Sequence, residues 1–422
     1  MLKAVKKVAL LGVTSMLVMH ASTSAAADVD FMNWSSTEEV NKPRIKAMEE
    51  SFTKATGLTV NSIGYAWGEM VKNAFLRGRT NTLPDVMQVQ ARLLPTIAGI
   101  NGIVDLNQVY GQKNLEAMFP PAMLAFGNVD GKQVALPWIG GTIGMVANKA
   151  VLAKAGIDTP PTTVADFRNA LIKIRDKVPN SVPYGMATKN NNSIVLDYMI
   201  WVWTFGGDIV TNGKPVVDSK EATAALKFMA DLVKDRLAAP EIDRPDARRL
   251  FGQEASGFYF DPPIARTFAV DFSGKGPSYG ANVLPMFTPT LAAGGTPTSI
   301  QWGHVISIFG AKNAKPDSPA AKFAMHLLSK DTLVDYASFS GVLPSTTAGQ
   351  SDPKIASDNY LATWAKHAGT PRRNTLASLS NGAAVANVIG EEVQAAVLGQ
   401  KTAEVAARDM QARMVKAMAA AN

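Results

Sequence analysis

Tryptophan side chains follow several predicted strands of this 422-residue chain, where an indole could cover an apolar face of a small ligand. Trp34 comes directly after the first predicted strand, and Trp67 comes after the second. Trp138 and Trp302 lie beside points where the strand and helix pattern breaks, and Trp203 lies in an aromatic helical segment. Ligands of open α/β sheets bind beyond the carboxyl ends of the strands. We therefore interpret these indoles as candidate ligand contacts, although each could equally be an ordinary core residue.

Polar side chains near the same points could hydrogen-bond a ligand. Glu38 stands near the start of the first predicted helix, where it could equally be a charge that favours the helix dipole. Asp261 follows the apolar run 258–260, where its carboxylate could accept two hydroxyl groups or cap a turn. His304 stands beside Trp302 and could equally be a satisfied structural histidine. Glu38, Asp261 and His304 are therefore the polar ligand-binding candidates that follow from position in the predicted elements alone.

The elements that must position these residues alternate between strand and helix patterns. Val29 and Phe31 alternate with polar neighbours, and apolar residues at helical spacing then continue to Gly57. Strand-like runs follow at 58–63 and 86–89, which predicts an α/β fold with a mostly parallel sheet covered by helices. Further strands are predicted at 133–137, 143–148 and 305–309, helices near Thr163, Ser219 and Ser318, and a mostly helical segment from about Pro353. Breaks near 137–141, 298–303 and 341–344 are candidate hinge crossings.

Residues 1–27 are predicted to be a cleaved secretory signal peptide. Three lysines precede an apolar stretch at 8–19, and small residues stand before Asp28. The apolar stretch is too short to span a bilayer comfortably, and no later stretch is long and apolar enough. The sequence holds no cysteine, so neither a disulfide nor a lipidated cysteine is available. We therefore expect a mature protein that is free in the periplasm.

The composition argues against nucleic-acid binding and against common hydrolases. Lysine and arginine total 42 against 35 acids, and the basic residues are scattered rather than gathered into a stripe. There is no H-E-x-x-H motif and no phosphate-binding loop, and His304, His326 and His367 lie far apart. A glycosidase-like pair of acids stays open. The sequence thus predicts a non-enzymatic binding protein with no catalytic residue, no cofactor and no metal ligands.

Several different short motifs follow one another in a characteristic order over nearly the whole mature chain. The most specific is Asp-Gly-Lys-Gln-Val-Ala-Leu-Pro at 130–137, followed by Asn148-Lys149, Ala155-Gly156-Ile157 and Pro160-Pro161-Thr162. In order and spacing they resemble the extracellular solute-binding proteins of ATP-driven importers, in the sugar-binding branch related to maltose-binding protein. Val146-Ala147 departs from this pattern, because the family has tyrosine before Asn148. Details of the binding cleft are therefore expected to differ.

The resemblance implies two α/β lobes that close on a ligand and then dock on an inner-membrane permease. The lobes are expected at 28–138 plus 302–342 and at 139–301 plus 343–422. Gln90 and Arg92 stand where the family places groups that hydrogen-bond the ligand. The implied ligand is a small sugar, bound by a monomer without nucleic acid. The same fold could instead bind a sugar phosphate, a glycerol phosphodiester or a polyol.

Overall fold

The computed structural model describes residues 27–367, 370–379 and 381–419, so the predicted signal peptide lies outside the described residues. The strands are β1 (Val29–Asn33), β2 (Val60–Gly64), β3 (Val86–Gln90), β4 (Asn128–Val129), β5 (Lys132–Gln133), β6 (Leu136–Asn148), β7 (Val210–Thr211), β8 (Lys214–Pro215), β9 (Phe258–Asp261), β10 (Val283–Met286), β11 (Thr298–Ile308), β12 (Leu343–Pro344) and β13 (Thr370–Arg372). The helices are α1 (Lys42–Thr56), α2 (Met70–Arg79), α3 (Leu94–Ala98), α4 (Leu106–Tyr110), α5 (Gln112–Met118), α6 (Pro121–Leu124), α7 (Lys149–Ala155), α8 (Val164–Lys177), α9 (Asn192–Thr204), α10 (Lys220–Lys234), α11 (Arg244–Gly252), α12 (Ala265–Ser273), α13 (Pro319–Leu327), α14 (Lys330–Ser340), α15 (Thr347–Gln350), α16 (Pro353–Ala356), α17 (Asn359–His367), α18 (Gly382–Val397) and α19 (Ala403–Ala419). Within these ranges, no helix is both long and apolar enough to cross a membrane.

The first strand group of the structure is a parallel sheet at the start of the chain. Strand β1 pairs in parallel with β2 on one side and with β3 on the other. Strand β3 then pairs with β11, which runs antiparallel to it. Helix α1 covers this sheet with Ile45, Met48 and Phe52, which are buried at the helical spacing that the sequence shows. The predicted α/β start of the chain is confirmed.

Two long strands connect this group to a second group of strands. Residues 136–143 of β6 pair with β11, whereas 144–147 pair with β9 and 145–148 pair with β10. Likewise, residues 304–308 of β11 pair with β3, and 298–300 pair with β13. Strands β6 and β11 therefore each belong to both groups and cross from one to the other side by side.

Both of these strands are longer than the sequence pattern predicts. The pattern breaks at Gly140-Gly141, but β6 runs without interruption through these residues. Both glycines pair with β11, Gly140 with Gly303 and Gly141 with Trp302, so they lie in the ladder rather than in a turn. Strand β11 begins at Thr298, seven residues before the predicted start at Val305.

Helix signals in the sequence are confirmed at several starts. The side chains of Thr163, Ser219 and Ser318 each accept a hydrogen bond from a backbone N–H in the first turn of α8, α10 and α13, respectively. Gly57 ends α1 in the left-handed conformation, with φ of 76°. Helix α9 is buried from Ser193 to Trp203, where it packs against α10 and α18.

Candidate functional site

Three of the predicted tryptophans meet around one histidine. The ring of His304 lies 4.7 Å from that of Trp34 and 4.4 Å from that of Trp302, both edge to face. The ring of Trp138 lies 6.5 Å from the same imidazole. All four side chains are at least nine-tenths buried. The structure thus brings together residues that are separated by up to 270 positions in the sequence.

Strand register explains this meeting. His304 of β11 stands opposite Gln90 of β3 on one side and opposite Ile139 of β6 on the other. Trp34 follows β1, which is the next strand beyond β3 in the sheet. The residues therefore converge at one edge of the first strand group, beyond the carboxyl ends of its parallel strands, as the sequence analysis predicted.

The imidazole of His304 is held in its neutral form. Its Nδ1 accepts a hydrogen bond of 3.2 Å from Nε2 of Gln88, which leaves the ring hydrogen on Nε2. Burial, together with the positive charges of Arg92 and Arg248, lowers the pKa of His304 to about 3. At neutral pH this histidine is therefore a polar, uncharged member of the aromatic cluster.

Several predicted ligand contacts carry buried polar atoms that have no hydrogen-bond partner among the described residues. They are Oε1 of Gln90, Nε of Arg92, and the indole Nε1 atoms of Trp67 and Trp138. Buried polar groups are nearly always paired, and each unpaired one costs about 1–3 kcal/mol. A group of such atoms at one edge of a sheet is expected where a polar ligand completes the hydrogen bonding.

Arg92 lies at the centre of this region. Its guanidinium stands 5.3 Å from the ring centroid of Trp67, and its Nη1 donates a hydrogen bond of 3.1 Å to Oδ1 of Asn192. Asn192 is the first residue of α9, far from the first strand group in the chain. The contact between Arg92 and Asn192 therefore joins the two sides of the site.

Two neighbouring cavities open beside Arg92. The large cavity measures about 840 Å³ and is lined by Arg92, Phe126, Trp302 and Arg373, among others. The small cavity measures about 330 Å³ and is lined by Trp67, Arg92, Asn192, Asn374 and Gly382, among others. Both volumes lie in the range usual for small-molecule sites. Each cavity is bounded by residues from distant parts of the chain.

The carboxylates of Asp261 and Glu38 both lie near Arg248. The carboxylate of Asp261 accepts two hydrogen bonds from Arg248, of 2.8 Å and 2.9 Å, and one of 2.9 Å from Tyr259. Glu38 accepts a hydrogen bond from Asn41, and burial raises its pKa against the attraction of Arg248. Asp261 is thus largely occupied within the protein, whereas Glu38 retains free acceptor capacity.

Trp203 is placed apart from the other candidates. Its Nε1 donates to Asp208, and the guanidinium of Arg372 lies 4.5 Å from its ring centroid. Among the contacts of the described residues, none joins Trp203 to His304 or Arg92. The neighbouring Trp201 is fully buried against Phe167 and Phe228, as expected of a core residue.

Sequence reasoning missed several residues of the site. They are Asn192, Arg244, Arg248, Tyr336 and Asn374. Most lie in helices, and Asn374 lies in a segment after β13, so no strand end pointed to them. Arg248 was detectable in principle, because an arginine on an amphipathic helix just before an apolar strand can face a buried carboxylate. The remaining residues carry no signal that sequence spacing could reveal.

Known proteins share this fold over most of its length. The maltose-bound MalE3 of T. maritima superposes with a TM-score of 0.80 at 24% identity, over 92% of this chain and 99% of that one. A solute-binding protein of an ABC transporter from Thermotoga lettingae, bound with alpha-D-tagatose, superposes with a TM-score of 0.81 at 21% identity, again over 92% and 99%. These likenesses show the two-lobed fold of periplasmic binding proteins.

Sequence comparison gives the family. A binding protein of Brucella abortus is 23% identical over 307 residues, which cover 72% of each chain. The model of the bacterial extracellular solute-binding protein family matches residues 47–363. That match covers well over half of the chain and includes Trp67, Arg92, His304 and both crossing strands. The chain belongs to the bacterial extracellular solute-binding protein family.

Proposed function

We propose that this protein is the substrate-binding component of an ABC importer and that it binds a sugar between two lobes without transforming it. The lobes are assigned to 28–138 plus 302–342 and to 139–301 plus 343–422. The protein acts in the periplasm, and the closed, loaded form docks on permease subunits of the inner membrane. Two proteins of the same fold were solved with maltose or with alpha-D-tagatose bound, which supports a sugar as the class of ligand.

One observation carries this proposal. Unpaired polar atoms of Gln90, Arg92 and Trp67 lie beside the indoles that surround His304. A sugar presents hydroxyl groups around its edge and C–H groups on its faces. Amide, guanidinium and indole N–H groups suit the hydroxyls, and flat indoles suit the C–H faces. The site therefore offers both kinds of contact that a sugar needs, within one cavity system.

Lobe closure follows from where the contacts lie. Strands β6 and β11 connect the two strand groups side by side, which makes them the natural hinge. A solute that contacts Arg92 on one side and Asn192 on the other binds fully only in the closed form. Its binding therefore increases the closed population, because only differential affinity shifts such an equilibrium.

Thermal unfolding with a solute panel tests the proposal. The panel holds mono- and oligosaccharides, polyols, sugar phosphates and polyamines, each added to the protein without its signal peptide. A ligand of the folded state at 100 times its Kd adds about 2.7 kcal/mol to the free energy of unfolding, so a bound sugar raises the midpoint clearly. The sugar must also be recovered unchanged. A shift with polyamines alone, or hydrolysis of the bound saccharide, contradicts the proposal.

A further inference from the structure

Arg92 lines the small cavity and differs from three other arginines of the protein, which form ion pairs with carboxylates. Arg244 pairs with Asp197, Arg248 with Asp261, and Arg266 with Asp358. Arg92 has no carboxylate within ion-pair distance among the described residues, and its Nε has no hydrogen-bond partner. The charge that acts on it is that of Arg244, which carries the same sign. Arg92 is therefore a half-buried cation that has no counter-charge among the described residues.

A buried charge without a partner is costly, so proteins seldom retain one without a use. Burial and the charge of Arg244 together lower the pKa of Arg92 to about 10, which still leaves the guanidinium positive at neutral pH. Its contacts to Asn192 and Trp67 orient the group but do not neutralise it. A negative ligand group would supply what the protein lacks.

The rest of the small cavity also suits an anion. Among the described residues that line it, Arg92 is the only charged one, and the others that are polar include Asn190, Asn191, Asn192, Asn374 and Asn387. Amide groups can donate to an anion without opposing its charge. No lining carboxylate would repel it. The polar part of the lining therefore combines one positive charge with hydrogen-bonding amides, beside apolar residues such as Leu93 and Val195.

Two helices begin at this cavity. Helix α9 starts at Asn192 and has 13 residues, and α18 starts at Gly382 and has 16 residues. No side chain caps the first turn of α18, because the amide of Asn381 donates to the carbonyl of Ala417 instead. Helix N-termini carry partial positive charge and free N–H groups, which favour anions. They reinforce the unpaired guanidinium at the same place.

We propose that the small cavity binds an anionic group of the ligand, either a carboxylate or a phosphate, so that the protein selects acidic saccharides over neutral ones. This inference rests on the proposed function and names its substrate class. The acidic group contacts Arg92 between the starts of α9 and α18, and the sugar ring extends toward the aromatic cluster. Glu38 stands near Arg248 rather than Arg92, so it accepts hydroxyl groups without opposing the anion.

Calorimetric titration with matched pairs of probes tests this proposal. The pairs are D-glucuronate with D-glucose, D-galacturonate with D-galactose, and glucose 6-phosphate with glucose, each also as a short oligosaccharide where one exists. We expect at least one acidic probe to bind tenfold or more tightly than its neutral partner. The uronate and phosphate arms show which anion the cavity takes. Inorganic phosphate and acetate, added alone, show whether the sugar ring is needed.

Variants of Arg92 separate charge from folding. Arg92→Gln keeps a donor and removes the charge, so we expect tenfold or greater loss of affinity for the acidic probe and a clearly smaller loss for its neutral partner, which loses a hydrogen bond but no charge pairing. Arg92→Lys keeps the charge and should lose less affinity for the acidic probe than Arg92→Gln. The unfolding midpoint of the ligand-free protein is measured for both variants, so that any loss of the contacts to Asn192 and Trp67 is separated from the loss of charge. Arg79→Gln changes an exposed arginine at the end of α2 and serves as the control.

The outcomes distinguish this inference from the proposed function. Equal or tighter binding of the neutral sugar, with the same loss of affinity for both probes in Arg92→Gln, overturns the acidic-substrate inference and leaves the sugar-binding function standing. If inorganic phosphate alone binds tightly and a sugar ring adds no affinity, a saccharide is not the ligand, and both the proposed function and this inference are overturned in that respect. Tighter binding of an acidic probe that is lost in Arg92→Gln supports both.

Discussion

The indole of Trp138 stacks on the phenol ring of Tyr336, with ring centroids 4.6 Å apart and an interplanar angle of 6°. Trp138 belongs to the crossing strand β6, and Tyr336 belongs to α14, which packs against β12. The hydroxyl groups of Tyr336 and Ser35 lie 3.3 Å apart, and Ser35 bonds to Gln88, the partner of His304. The stacked pair is therefore linked through Ser35 and Gln88 to His304, around which the tryptophans of the site meet.

Truncation of Trp138 should be costly to folding as well as to binding. The side chain is fully buried, so Trp138→Ala is expected to lower the free energy of unfolding by about 3–5 kcal/mol. Trp138→Phe keeps the stacking and should cost less than half as much. Urea unfolding monitored by circular dichroism measures both. A change of under about 1 kcal/mol for Trp138→Ala contradicts the buried placement.

Trp67 should matter for binding rather than for stability. Its indole is partly exposed, lines the small cavity and lies beneath the guanidinium of Arg92. Trp67→Ala is expected to weaken binding of the sugar found in the panel about tenfold, because aromatic and cation contacts of this kind contribute about 0.5–1.5 kcal/mol each. Trp203→Phe, at a site joined to Asp208 and Arg372, provides the comparison. Equal losses in both variants would argue against this assignment of the cavity.

The neutral state of His304 should make stability depend on pH. Its pKa is near 6.5 in the unfolded chain and about 3 in the folded protein. Between these values the unfolded state binds the extra proton, so stability falls as the pH decreases from about 6.5 toward 3. The slope from this one group approaches about 1.4 kcal/mol per pH unit in the middle of that window.

Paired variants isolate this contribution. His304→Gln should flatten the pH dependence of urea unfolding between pH 6 and 4, whatever its effect at neutral pH. Burial also lowers the pKa of His326, but that residue is half-buried and hydrogen-bonds Ser51 near the surface. His326→Gln should therefore flatten the profile less. An unchanged slope in His304→Gln means that the imidazole is not held neutral.

Removal of Arg248 should destabilise the protein more than removal of its whole ion pair. Arg248→Met leaves the buried carboxylate of Asp261 with Tyr259 as its remaining partner, which is expected to cost about 3–5 kcal/mol. The double change Arg248→Met with Asp261→Asn removes both charges and should recover part of this loss. Thermal unfolding of the single and double variants gives the coupling. Additive losses would show that the two side chains do not interact.

The sequence by itself determined the fold class and much of the local structure. The spacing of Ile45, Met48 and Phe52 predicted α1, because a helical face and its core contacts share one period. Trp34 was predicted as a ligand contact because it follows the first strand, and Trp302 and His304 because they stand beside a break in the pattern. The structure places the three rings together, and their contact with a ligand stays a prediction. Resemblance over short motifs predicted the family, which the family match confirms.

Only the tertiary structure decided which side chains meet and which charges are paired. The continuity of β6 through Gly140 depends on pairing with Gly303 of β11, which no local pattern records. The electrostatic surroundings of Arg92 are also invisible in the sequence. Its sequence neighbours do not reveal that each carboxylate in this region is paired with another residue or faces Arg248. Electrostatic balance depends on distances in space between groups far apart in the chain. For that reason the sequence could nominate Arg92 as a ligand contact, but the absence of a counter-charge became visible only in the folded protein.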